Sequence, residues 1–207
     1  MDNIIYILFV SVSVPILLMA FLVEKKARLP ISFLLTGIFI SVFASEVNGL
    51  FMQMSGMDTY SITVIVTPMT EEILKALPIL YYSIVISDKK ETLFTASMAT
   101  GIGFAILENA YYLLSFPNFS MLSAIIRAFG AGLMHGMCTL LVGVGISFVK
   151  KKRKLFAVGT FGLLSTAIVY HGIYNILIQS SYSIVGALLP IATYIPFFIW
   201  RFRVKHR

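Results

Sequence analysis

The sequence predicts an all-α bundle of about seven transmembrane helices, with the N-terminus outside and the C-terminus inside. Three observations carry this. Apolar residues fill 58% of the 207 positions and charged residues only 12%, against roughly 45–50% and 25% in soluble domains. Seven segments reach or approach the ~20 residues a helix needs to cross the hydrocarbon core. Finally, 14 of the 16 Lys and Arg lie in alternate connections, the asymmetry that marks the cytoplasmic side of a membrane protein. Aromatic content of 14% excludes disorder, and the single cysteine, Cys138, excludes a disulfide scaffold.

The elements follow in order. Segment 4–23 is uninterrupted and apolar, and its charges come after it, so it reads as an N-out anchor and not as a cleaved signal. The break EKKARL supplies Lys25, Lys26 and Arg28. Segment 30–54 carries Glu46 and Asn48, and SGMDTY follows without a basic residue. Segment 61–86 holds Thr67-Pro68, Glu71, Glu72 and Lys75. Thr-Pro suits an N-cap followed by the first helical position, so a half-helix bordering a wet cavity is expected to start there.

After SDKKE comes 92–115 with Gly101, Gly103, Glu108 and Asn109, closed by FPN. Segment 119–149 is longer, and its first turns, up to about Arg127, are expected at the interface; it carries Gly130, Gly132, His135, Gly136 and Gly143. The basic run KKKRK precedes 155–179, which holds His171 and Asn175, and SSY leads into 182–200 and a basic tail. No connection can hold a domain. Residues 1–207 therefore read as a single integral-membrane domain with a motif-bearing core of about 61–179. The net charge of +7 needs only short basic loops touching anionic headgroups of the bilayer, with no nucleic acid. No heptad, tandem repeat or inverted pair of halves is visible.

Ionisable residues inside a span cost a few kcal/mol each and mark functional sites by default. Glu46, Glu71, Glu108, His135 and His171 lie 14–16 residues from the cytoplasmic ends of five different spans. At 1.5 Å per residue that is roughly 21–24 Å up, in the outer half of the core. Blander roles weigh against each: Glu46 as the counter-ion of Lys75 or Arg127, Glu108 bonded to Asn109, a lone His satisfied in the core, and the glycines as plain packing. Two His at one depth, paired at i, i+4 with Thr139 and Asn175, favour function. Glu71 and Glu72 differ by about 100° around their helix, so one faces the site while the other pairs elsewhere, with Lys75 the partner expected for Glu72. Four carboxylates face two cations in this layer. Shared protons or a divalent cation would each answer that excess, and the residues leave both open.

A carboxylate, two imidazoles and an amide suit attack of water on a carbonyl. The runs E-E-I-L-K (Glu71 to Lys75), G-I-G-F-A-I-L-E-N (Gly101 to Asn109), H-G-M-C-T (His135 to Thr139) and H-G-I-Y-N (His171 to Asn175) together resemble the PrsW family of intramembrane proteases, relatives of the CAAX prenyl endopeptidases and bacteriocin-processing enzymes. The resemblance implies an endopeptidase that makes the first, outer-side cut in a single-span substrate of the anti-sigma-factor kind. It implies Glu71 as water activator and Glu72 as its partner. His135 would assist the base or bind metal, and His171 and Asn175 would hold the oxyanion. Glu108 stands where the CAAX enzymes have a histidine and Ala76 where they have an arginine, departures that favour PrsW. One divalent metal, zinc, held by Glu71, Glu108, His135 and His171 would match the charge excess; a metal-free glutamate enzyme is the alternative. A proton- or ion-coupled transporter and a non-catalytic membrane binding protein are the rival readings.

Overall fold

The computed structural model describes residues 3–115, 120–148 and 153–205. The FPN break and Lys150, Lys151 and Lys152 of the basic run lie outside them. Every described element is helical, and no strand occurs among the described residues.

Helix α1 spans Ile4–Leu22 and α2 spans Lys25–Ser55. Lys25, Lys26 and Arg28 occupy the first turn of α2 and do not stand apart in a loop. Helix α3 proper, Thr67–Val85, is entered through a single turn, Thr59–Ser61, and a π-helical stretch, Ile62–Val66. Helices α4 (Lys90–Ser115), α5 (Met121–Ile146), α6 (Arg153–Ile178) and α7 (Ser183–Lys205) complete seven. By length and composition α1, α2, Ala124–Ile146 of α5 and Ala157–Ile178 of α6 are able to cross a membrane. Helix α3 carries the charges of Glu71, Glu72 and Lys75, and all three are buried inside the bundle.

The outer surface is apolar, with Phe21, Leu22, Val158 and Phe161 among many large exposed residues. Such a surface would associate in water; it suits lipid, and the protein is membrane-embedded. Hydrocarbon gives no hydrophobic drive for helices to associate, so close packing at small residues must hold them. Glycines meet that need at two crossings. A Cβ on Gly103 would run into the Leu34 carbonyl, and one on Gly101 into the His135 carbonyl. The first crossing seats α4 on α2, and the second seats it on α5 beside a candidate site residue. Below them a core of Phe33, Ile79, Leu93, Met134, Val142 and Ile146 joins α2 to α5.

The expected half-helix start at Thr67 is corrected. Val66 and Thr67 have right-handed helical backbone, and the helix runs through them. Its N-cap is Asp58, whose Oδ1 accepts from the Ser61 amide at 3.0 Å. Pro68 lacks an N–H and cannot accept a carbonyl four residues back without a clash. The chain answers with a π-helical stretch in the turn before it, a device frequent at functional sites.

Candidate active site

Two helices, α3 and α6, meet at Glu72. Its Oε1 accepts from the Lys75 ammonium at 2.6 Å and from His171 Nδ1 at 2.8 Å. Lys75 is fully buried. It also donates to His135 Nδ1 at 2.9 Å and lies 4.6 Å from the centre of the Phe104 ring. An ammonium only donates, so His135 Nδ1 accepts and its neutral ring carries the proton on Nε2. That N–H meets Glu108 Oε2 at 3.0 Å, and Glu108 in turn faces Arg127 at 3.6 Å. The same logic fixes the other imidazole. A carboxylate only accepts, so His171 donates through Nδ1, and in the neutral ring Nε2 is then bare. That nitrogen faces Glu71 Oε2 at 3.9 Å.

Glu71 is 5% exposed, and its Oε2 is buried with no hydrogen-bond partner. The two adjacent carboxylates differ in their pairing, although both reach His171 and neither turns away from the site as their angular offset suggests. Glu72 is neutralised by Lys75, while Glu71 presents a bare oxygen. The charge excess is smaller than the sequence suggests. Glu46 lies outside the cluster: it accepts from the Tyr6 hydroxyl at 2.6 Å and pairs with neither Lys75 nor Arg127, which Glu72 and Glu108 hold. Among the described residues the buried cluster is left with one uncompensated carboxylate, Glu71.

Glu71, His135 and His171 each offer one ligand atom within 4.8 Å of the others. Glu108, expected as a fourth ligand, is not in that set and sits between His135 and Arg127. The donors fit a cation well at two points: the orphaned Glu71 oxygen and the bare His171 nitrogen. His135 has both ring nitrogens engaged. It would offer Nε2 to a metal only in the other tautomer, with the ring proton on Nδ1 and Lys75 no longer donating to that nitrogen.

The H-G-I-Y-N run has a second purpose. Positions 171, 172 and 175 share one face of α6. Gly172 lets that face approach the Val64 carbonyl and the Pro68 ring. Asn175 Nδ2 donates to the Thr63 carbonyl at 3.0 Å. The π-helical entry to α3 is therefore strapped to α6 by the same strip that carries His171. This bond uses one of the two hydrogens of the Asn175 amide, and a neutral His171 bonded to Glu72 through Nδ1 offers Nε2 as an acceptor. Thr139, the partner expected for His135, donates instead to the His135 backbone carbonyl at 2.9 Å. Phe104 escaped the sequence reading as a site residue although it opens F-x-x-x-E. An apolar ring under an ammonium leaves no polar signal.

A cavity of about 140 Å³ reaches this cluster, with Glu71 and Glu108 in its wall. Residues 14–201 match the model of a family described as PrsW family intramembrane metalloprotease. Searches of curated proteins and of solved structures return no match.

Proposed function

The chain belongs to the PrsW family of intramembrane metalloproteases and is a membrane-embedded peptidase; from that premise we propose that it makes the first, outer-side cut in a single-span membrane protein of the anti-sigma-factor kind. The cut falls in the outer half of the bilayer, with the N-terminus outside, the C-terminus cytoplasmic and anionic headgroups against the basic loops. The orientation rests on the basic residues of alternate connections. The observation that carries the chemistry is the buried, unpartnered Glu71 oxygen facing the bare His171 nitrogen.

Glu71 takes a proton from the attacking water and returns it to the leaving amine. A buried carboxylate oxygen with no hydrogen-bond partner of its own is free to take that proton as a general base. Glu72 turns His171 so that Nε2 faces Glu71, and Lys75 offsets the charge of Glu72. Glu108 holds the His135 proton and Arg127 holds Glu108. Phe104 closes the floor beneath Lys75 and His135. Asn175 acts as a positioning residue for the π-helical entry and so for Glu71 five residues beyond it.

Glu71, His135 and His171 would hold the divalent metal, and one Glu with two His is a donor set of catalytic zinc sites. When bound, zinc supplies Lewis-acid polarisation of a carbonyl and makes water acidic enough to ionise near neutral pH.

The test is Glu71→Gln in purified protein, assayed on a single-span substrate and by metal analysis. Cleavage falls by about 10²–10⁴ for loss of a general base. Wild-type cleavage by this variant would end the assignment. Active wild-type protein holding less than about a tenth of an equivalent of transition metal would end the metal proposal.

A further inference from the structure

The mechanism leaves one wall of the catalytic cavity unexplained. Glu71 and Glu108 form one side, and Ser41, Ser45 and Asn48 of α2 line the other. Positions 41, 45 and 48 follow i, i+4, i+7 spacing and so share one helix face. That face is polar in a helix otherwise largely given to lipid and core. Asn48 Oδ1 is buried without a hydrogen-bond partner, as is Glu71 Oε2 across the cavity. Two unsatisfied polar atoms thus border one small space. Buried polar groups left unpaired cost free energy, and no described group of this chain meets that need.

The chemistry of the wall selects its ligand. Hydroxyl and carboxamide groups both donate and accept and carry no charge. With the carboxylates of Glu71 and Glu108 in the same wall, they do not suit an anionic headgroup. They do match an amide backbone, which alternates donors and acceptors. Inside a bilayer a polypeptide satisfies its backbone only by staying helical, and a helical peptide bond is poorly accessible to attack. An unwound stretch next to Glu71 must find hydrogen bonds in the protein. We propose that Ser41, Ser45 and Asn48 form the substrate-binding wall, taking the unwound backbone of a membrane-spanning polypeptide at the bond to be cut.

This deepens the hydrolytic reading above and rests on it. It also sets a size preference. A cavity of about 140 Å³ corresponds to about four or five waters of liquid volume. With Ile5, Phe104 and Tyr111 also in the wall, it favours backbone with small side chains over Leu or Phe. The substrate class is therefore a single span interrupted near its outer end by Ala, Gly or Ser.

Disulfide trapping tests this in the full chain, in vesicles, with Cys138→Ala to remove the native thiol and Glu71→Gln to stop turnover. Ser45→Cys and Asn48→Cys are compared with Phe43→Cys on the half-exposed, lipid-facing side of α2. The probes are two synthetic single-span peptides with one cysteine, one carrying an Ala-Gly-Ser segment and one all-Leu at the same depth. Trapping of the Ala-Gly-Ser peptide at positions 45 and 48 should exceed that at 43 by about tenfold or more, since a bound peptide raises the local thiol concentration. The all-Leu peptide should show no such excess. Equal trapping at all three positions, or equal trapping of both peptides, overturns the wall. Cleavage of the same peptide by protein with Glu71 intact is scored in parallel. Cleavage without preferential trapping refutes the wall and leaves the protease reading standing. Trapping without cleavage supports the wall and counts against hydrolysis. Neither trapping nor cleavage removes both.

Discussion

Lys75→Met isolates the most buried charge in the molecule. The substitution keeps the length of the side chain and its packing on Phe104 but removes the ammonium. Glu72 then keeps its charge in a fully buried position with only the His171 N–H against it, and His135 Nδ1 loses its donor. Removing one member of a buried pair costs about 3–5 kcal/mol, because the survivor is left uncompensated. For a chain of this length each kcal/mol shifts the melting temperature by roughly 2–4 °C, so a fall of about 6–20 °C is expected on thermal unfolding in detergent, followed by helical circular dichroism. The double variant Lys75→Met with Glu72→Gln removes the charge problem, though it leaves an amide to be satisfied. Its destabilisation should be smaller than the sum of the two single changes, by an interaction energy of about 0.5–3 kcal/mol or more. A single variant within about 2 °C of wild type, or a fully additive double, would refute the claim that Lys75 is present to compensate Glu72.

Other outcomes follow from the same geometry. In metal-free, chelator-treated protein Glu71→Gln removes an uncompensated buried charge, so its melting temperature should equal or exceed that of wild type treated alike; a large fall would mean Glu71 has a partner within the protein. His171→Ala should lower bound metal to a small fraction of the wild-type content on elemental analysis, whereas Asn175→Ala should retain it. Asn175→Ala leaves the Thr63 carbonyl unpaired, costing about 1–3 kcal/mol, and hydrogen exchange should quicken across residues 62–66 while Glu108 contacts are unchanged. A reporter fused after Arg207 should be active only in the cytoplasm, and activity outside would reverse the orientation and the depth assigned to the cut.

Much of the bundle was legible because lipid enforces a simple rule. A run of ~20 apolar residues has few fates, and all seven segments correspond to helices. The Glu72–Lys75 pair was legible because i, i+3 spacing places the two on one helix face. What could not be read depends on rotation of one helix against another. Glu46 shares its sequence depth with the cluster, yet it turns to Tyr6 on α1. Glu108 reads as equivalent to Glu71 as a ligand, but the presence of Arg127 beside it gives it a different neighbour. The start of α3 was misplaced because Thr-Pro has two legitimate meanings. It caps a helix when the preceding residue is extended, and here Val66 is helical, so the proline is absorbed by a widened turn. An amide beside a histidine suggests a chemical role for Asn175, and only the approach of Thr63 reveals that it also holds backbone.

The residues Arg127, Glu108, His135, Lys75, Glu72 and His171 form one continuous file of alternating partners, with links of 3.6, 3.0, 2.9, 2.6 and 2.8 Å. It crosses α5, α4, α3 and α6. Bilayers differ in thickness, and a bundle meets a mismatch by tilting or sliding its helices at a cost of fractions of a kcal/mol per ångström. Sliding any of these four past its neighbour by a few ångströms would break a link whose loss costs several times more. The four helices must therefore tilt as one body. Adaptation is left to α1, which buries only Ile5 among its described residues and makes its polar tie through the Tyr6 hydroxyl. The spacing of Glu71 and His171 is in this way insulated from the thickness of the membrane.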